Sequence, residues 1–244
     1  MSIDARVMEF AAGHGLWCAG FAVMLIVGTV AAVAPSSNRA APESVLDVWD
    51  KVKTPSRPRV KEVRLAAKTT ALLILDIEKP TTTLRRRPRA VASVPRIAGL
   101  LAKARAAGVA VAHSLTRKGT PETILTEVTP LKGEPVVKAS VDKFYGTKLE
   151  AFLKKRNVKS VIIVGTAAEG AVLHTATAAA IRGFEVVVPV DGMSSSELYA
   201  EQYTAWHLVN APGPRRRTKL TKIDMIRINK DKAERGGMMW NGER

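Results

Sequence analysis

The sequence predicts an α/β fold: a three-layer α/β/α Rossmann-like sandwich built on a mainly parallel sheet. Two observations predict it. Apolar runs of strand length alternate with segments of helical periodicity, and the links between them are short. Connections of this kind make successive strands parallel and place the intervening helices on both faces of the sheet.

The predicted elements follow one another along the chain. Strands are predicted where short runs are rich enough in apolar residues to be buried on both faces; these runs are 70–76, 109–115, 158–164 and 184–190, with a last strand at 219–223. Helices are predicted at 91–107, 147–156, 168–182 and 195–210. Gly108 and Gly183 follow two of these helices, and glycine commonly ends a helix.

An uncharged apolar stretch occupies residues 15–34. It is long enough for a secretory signal or for a membrane-spanning helix. Ala32 and Ala34 supply the small residues that a signal peptidase favours, whereas Pro35 is a poor first mature residue. Residues 1–34 are therefore predicted to be a signal peptide or a membrane anchor, which makes the protein exported (periplasmic or extracellular) or attached to a membrane through residues 15–34.

The rest of the chain divides into three segments. Residues 35–68 are rich in proline, serine and charge and are predicted to be a linker, with one short helix near residues 45–52. Residues 69–226 are predicted to be a single domain, and residues 227–244 a polar tail. Cys18 is the one cysteine of the chain, so the domain is expected to use neither disulfides nor thiol chemistry.

The formal net charge is +16, yet aromatic residues make up only 5% of the chain. Two short basic clusters stand beside prolines, at 85–87 and 215–217, and the basic residues are not interleaved with aromatic residues. We therefore expect no nucleic-acid partner. A basic surface that recruits another anionic partner stays open as a hypothesis.

Ligands of parallel α/β sheets bind beyond the carboxyl ends of the strands. Asp76 ends the first apolar strand, Lys138 follows a short apolar piece, and residues 165–171 link a strand directly to a helix. The free N–H groups of a helix N-terminus can stabilise an anion. Each feature also has a purely structural interpretation: a capping carboxylate, a surface lysine and an ordinary strand-to-helix link.

Taken together and in this order, the motifs resemble the isochorismatase-like hydrolases, also called cysteine hydrolases. The resemblance rests on Asp76, on Lys138 six residues before Phe144, on the turn at 165–171, and on the run from Arg182 to Asp191. It implies a triad of Asp76, Lys138 and a cysteine, but Ala171 stands at the cysteine's position. A methyl group cannot attack a substrate.

The resemblance also implies further site residues. The turn that would stabilise an oxyanion maps onto Thr166, Ala167, Glu169 and Gly170, with a cis peptide near Thr166–Ala167. His113 and Phe144 are expected to line the pocket. His113 has no partner at metal-binding spacing, so no metal is expected. No other cofactor is expected either. The resemblance also implies a homo-oligomer.

Two functions of the predicted pocket stay open beside the basic-surface hypothesis. The first is hydrolysis or binding of a small metabolite of the amide, ester or enol-ether class without a cysteine nucleophile, with Asp76 and Lys138 as the acid–base pair. The alternative is a pseudoenzyme that binds a small ligand in the same pocket. Enol-ether hydrolysis, which the resemblance includes, is acid–base in character and needs no thiol.

Overall fold

A computed structural model of the chain describes residues 44–229. It divides into two compact units, the first ending at Lys53 and the second beginning at Thr54. In the described part of the first unit, a single 3₁₀ turn at Trp49–Lys51 stands where a helix was predicted. The predicted signal or anchor at 1–34 and most of the polar tail lie outside the described residues.

The second unit is built on a seven-stranded sheet in which every pairing is parallel. Its strands are β2 (Thr70–Leu75), β3 (Ala110–Leu115), β4 (Val136–Lys138), β5 (Ser160–Thr166), β6 (Glu185–Pro189), β7 (Met193–Ser194) and β8 (Thr218–Thr221). The spatial order is β4-β3-β2-β5-β6-β8, and β7 pairs with the end of β5. The central strands β2 and β5 are buried along their whole length, as their continuous apolar runs predict.

Four helices accompany the sheet: α1 (Pro88–Ala107), α2 (Leu149–Lys155), α3 (Leu173–Ile181) and α4 (Leu198–Asn210). Alternate side chains of the strands contribute to two apolar clusters. One cluster includes the buried stripe of α1, and the other includes residues of α2, α3 and α4. The mainly parallel sheet with helices around it confirms the predicted fold class.

A separate two-stranded sheet was not predicted. β1 (Val63–Ala66) pairs in parallel with β9 (Ile226–Asn229). The predicted linker at 35–68 was therefore too long, and the predicted domain end at residue 226 falls at the start of β9. Four-residue strands with charged residues on one side carry little signal in sequence. Here Val63, Leu65 and Ile226 are buried in the cluster that contains α1, and that packing stabilises the pair.

Candidate active site

Asp76 lies at the carboxyl end of β2, directly after the buried strand. Its side chain belongs to a residue that is only 5% exposed, and its backbone has a positive φ of 53°. Residues other than glycine rarely adopt that conformation. The N–H of Asp76 donates to Ser114 O at the end of β3 (3.3 Å), and Thr81 Oγ1 donates to Asp76 O (2.6 Å). Both strand pairing and loop contacts thus fix the direction of this carboxylate.

The cation beside Asp76 is Lys143, which the sequence analysis missed. Lys143 Nζ lies 2.8 Å from Asp76 Oδ2, and the lysine side chain is fully buried. The same ammonium donates to the carbonyl oxygens of Ser140, Ala139 and Leu115 at 2.6, 3.2 and 3.3 Å. Ser114 Oγ donates to the other carboxylate oxygen of Asp76 (2.6 Å). Every polar atom of this buried pair is therefore engaged.

The assignment of the lysine to Lys138 was wrong. Lys138 ends β4, which is an edge strand, and its side chain is exposed while the preceding Val137 is buried. Successive side chains of a strand point to opposite sides, so Val137 enters the core and Lys138 faces solvent. The following loop carries Lys143 back to the sheet, where its N–H donates to Thr175 Oγ1 of α3 (3.2 Å).

The environment of Asp76 makes its ionisation costly. Burial raises the pKa of Asp76 above the ordinary value of an aspartate, and the nearby charge of Glu78 acts in the same direction. The ammonium of Lys143 and the hydrogen bond from Ser114 lower that pKa and offset only part of the effect. A carboxyl with a raised pKa at the ligand edge of a sheet is suited to donate a proton.

Ala171 lies in a π-helical turn, Ala168–Val172, that joins β5 to α3. It is 3% exposed. The peptide bond between Thr166 and Ala167 is cis, which confirms the position that the resemblance implied. The end of β5 can approach β2 closely because Gly165 has no side chain: a Cβ there would collide with Leu75 O.

Two N–H groups of the predicted oxyanion turn are bonded within the turn. The N–H groups of Gly170 and Val172 both donate to Ala167 O, at 3.1 and 3.2 Å. Thr166 Oγ1 donates to Ser194 O on β7 (3.1 Å). Glu169 differs, because its Oε2 is buried and has no hydrogen-bond partner among the described residues. The side chain with free hydrogen-bonding capacity in this turn is therefore an acceptor.

Glu78 and Arg87 are two buried charged residues that the sequence analysis also missed. Glu78 is fully buried, and its carboxylate accepts hydrogen bonds from the N–H of Thr116 (2.6 Å) and from Thr123 Oγ1 (2.9 Å). Arg87 directly precedes α1 and is 9% exposed. The available signal for Glu78 was a second carboxylate that follows the strand-end Asp76 closely in sequence. Arg87 was hidden within a run of three arginines.

His113 was expected to line the pocket, but the structure places it elsewhere. Its Nε2 contacts Glu134 Oε2 at 3.0 Å, and Arg105 of α1 also binds Glu134. Because His113 alternates with Ser114 along β3, the two side chains point to opposite faces of the sheet, and it is Ser114 that reaches Asp76. Burial lowers the pKa of His113. Burial also opposes ionisation of Glu134, yet hydrogen bonds from Arg105, Leu131 N–H and His113 lower its pKa to about 2.

Phe144 is likewise a core residue. It is 4% exposed and its ring stacks on Phe184, with 6.1 Å between the ring centroids. The guanidinium of Arg182 lies 4.8 Å from the centre of the Phe144 ring. Phe144 thus packs the loop that carries Lys143 against the core. Across residues 44–229, no group of three His, Cys, Asp or Glu side chains is arranged to hold a metal ion.

Comparisons with known proteins show the family and the fold. Residues 70–215 match the isochorismatase domain. A secreted isochorismatase effector, Isc1 of Verticillium dahliae, is 35% identical over 118 residues, which are 44% of this chain and 62% of the effector. A streptothricin hydrolase of Streptomyces noursei is 32% identical over 142 residues, covering 53% of this chain and 51% of the hydrolase. The chain thus spans less than two thirds of the length of either relative.

A solved structure has the same fold. The isochorismatase family protein from Desulfovibrio vulgaris superposes with a TM-score of 0.57 and 26% identity, covering 64% of this chain and 95% of that protein. The family match at residues 70–215 includes Asp76 and the strands from β2 to β7.

Proposed function

The chain belongs to the isochorismatase family, and we propose that it hydrolyses a small enol ether by acid catalysis from Asp76, with no covalent enzyme intermediate. The observation that carries the proposal is the buried carboxyl of Asp76, whose pKa is raised by burial and which stands at the ligand edge beside Lys143. The name of the relative in Verticillium dahliae, an isochorismatase effector, supports the same class of substrate.

The proposed reaction transfers one proton from Asp76 and adds one water molecule. Protonated Asp76 gives its proton to the terminal carbon of the enol ether, which creates an oxocarbenium ion. Water adds to that cation, the carbon–oxygen bond of the resulting hemiketal breaks, and a ketone and an alcohol leave. The proton released by the water returns to Asp76. Because the carbon is protonated before water attacks, this route needs no nucleophile at position 171, whereas an amide hydrolysis through an acyl-enzyme would need one.

Lys143 serves the proposed reaction without donating a proton itself. When Asp76 is ionised after proton transfer, the ammonium 2.8 Å away stabilises the carboxylate. Its three contacts with backbone carbonyl oxygens hold it in place during this change. Lys143 is therefore a positioning and charge-stabilising residue.

The test is hydrolysis of isochorismate and of a simple vinyl ether by the full chain, with a matched amide and ester as comparison substrates. In D₂O, the ketone should carry one solvent deuterium on the carbon that was protonated. Asp76→Asn should lower kcat by about 10²–10⁴-fold, and Ala171→Cys should give no increase. The rate should fall as pH rises through the raised pKa of Asp76, since the protonated form is the donor.

Hydrolysis of the amide or ester alone, or a rate that Asp76→Asn leaves intact, would contradict the proposal. A second function, ligand binding without turnover, is favoured by one observation: all polar atoms of the Asp76–Lys143 pair are already satisfied within the protein. Saturable binding of a substrate with no product, and no effect of Asp76→Asn on any rate, would establish that alternative.

Export is a second proposal, which rests on the apolar residues 15–34 and on the secreted relative. None of the helices formed by residues 44–229 has the length and apolarity to cross a bilayer. Fractionation of cells that express the full chain, with mass spectrometry of the mature N-terminus, separates export with cleavage from retention in the membrane. Full-length chain in the cytosolic fraction would contradict export.

A further inference from the structure

Arg87 is a buried cation for which the described residues provide no ion pair. The residue is 9% exposed, and one terminal guanidinium nitrogen donates to Thr81 O (3.3 Å). Its Nε is buried and finds no hydrogen-bond partner within residues 44–229. Burying a charge is costly unless it is paired. No carboxylate of the described residues lies within ion-pair distance of Arg87, so the guanidinium has donor capacity left for a further anion.

The position of Arg87 connects it to Asp76. Thr81 joins the two residues, since its hydroxyl donates to Asp76 O while its own carbonyl oxygen accepts from Arg87. The carboxylates of Asp76 and Glu169 are the two acidic groups whose charge acts on the guanidinium of Arg87. Arg87 therefore belongs to the same edge of the sheet as the proposed acid and the turn that contains Ala171.

Helix stability does not account for a buried arginine at this place. Arg87 occupies the N-cap of α1, and the first turn of α1 contains no acidic residue. The N-terminal end of a helix carries a partial positive charge, so a cation there is disfavoured and an anion is favoured. Arg87 and the end of α1 consequently attract the same kind of group.

We propose that Arg87 binds a carboxylate of the small molecule on which Asp76 acts. A guanidinium offers two parallel N–H donors that match the two oxygens of a carboxylate. Glu169, with an unpartnered buried Oε2, accepts a hydrogen bond from a donor beside that carboxylate. The ligand class is a small carboxylic acid with a neighbouring hydroxyl or N–H group. This inference rests on the proposed function, and it names the chemical group by which the site selects its ligand.

The test compares carboxylates with their uncharged amides. Binding of acetate, lactate and benzoate, of their three amides and of inorganic phosphate is measured by ligand-observed NMR on the full chain. We expect at least one carboxylate to bind more tightly than its amide and than phosphate. Arg87→Gln should weaken that binding by about tenfold or more, and Arg86→Gln, which removes an exposed neighbouring arginine, should change it less than about twofold.

Equal binding to wild type and Arg87→Gln, an equal loss in Arg86→Gln, tighter binding of phosphate, or no carboxylate binding at all would each overturn the proposal. Thermal unfolding of both variants verifies that they are folded, and Arg87→Lys keeps the charge if Arg87→Gln does not fold. Asp76→Asn separates this proposal from the proposed reaction. If carboxylates still bind through Arg87 but no enol ether is hydrolysed, the reaction is wrong and the carboxylate site stands.

Discussion

At the scale of single residues, the site is defined by buried charges and their partners. Asp76 could be predicted from sequence because a carboxylate that directly follows a buried parallel strand must stand at the ligand edge. Its lysine could not, because two lysines lie in the same loop region and only the path of the chain decides which one turns inward. Lys138 ends an edge strand, whereas Lys143 is pinned by Thr175 of α3.

This difference predicts unequal effects of removing the two lysines. Lys143→Met leaves the buried carboxylate of Asp76 without its cation and should lower the free energy of unfolding by about 3 kcal/mol near neutral pH. Lys138→Met removes an exposed side chain and should change it by less than about 0.5 kcal/mol. Urea denaturation of both variants measures the two values.

The loss in Lys143→Met should shrink as the pH is lowered. Lys143 is one of the groups that lower the pKa of Asp76, so its removal raises that pKa further. As the pH falls, the buried carboxyl of the variant takes up a proton and loses its unpaired charge, which stabilises the variant more than wild type. A loss that is the same at mildly acidic and neutral pH would contradict the importance of the Asp76–Lys143 charge pair.

At the scale of elements, the long central strands and α1 could be predicted because continuous apolar runs and helical spacing are strong signals. The short strands β1, β4, β7 and β9 were missed as strands, because two to four residues carry too little pattern and depend on tertiary pairing. The turn at 165–171 was placed correctly, but the engagement of its N–H groups with Ala167 O depends on the backbone path and has no signature in the residue types.

Gly165 shows how one element holds another at the site. Its φ of +131° and its closeness to the carbonyl oxygen of Leu75 both exclude a side chain. Gly165→Ala should therefore separate β5 from β2 and lower the free energy of unfolding by about 3 kcal/mol or more. Gly183→Ala, at a helix end with open space around it, should cost only about 1–2 kcal/mol. Thermal and urea unfolding distinguish the two, and equal losses would contradict the close approach at Gly165.

At the scale of the whole described domain, the sheet alone does not complete the fold. The β1–β9 pair adds its own buried residues to the cluster around α1, and Lys103 of α1 donates to Ile226 O (2.7 Å). The fold class followed from the sequence, but the domain boundaries did not, because β1 lies in a stretch whose composition is typical of a linker.

The contribution of this pair can be measured with one side chain. Leu65 is 5% exposed, and Leu65→Ala should lower the free energy of unfolding by about 2–4 kcal/mol. Ile181→Ala removes a side chain of similar size that is 69% exposed and should have an effect below about 0.5 kcal/mol. If Leu65→Ala unfolds like wild type in urea, β1 does not belong to the cooperatively folded domain.

The parallel pairing of β1 with β9 also brings distant parts of the chain together. Val63 pairs with Ile226 and Ala66 with Asn229, so Val63 and Asn229 lie about 11 Å apart, given the usual rise along a strand and the usual spacing between strands. A bridge of about four or five residues could span that gap. A circular permutant that joins residue 229 to residue 63 and opens in the exposed loop at 131–133 should therefore keep the whole sheet, including the edge that carries Asp76.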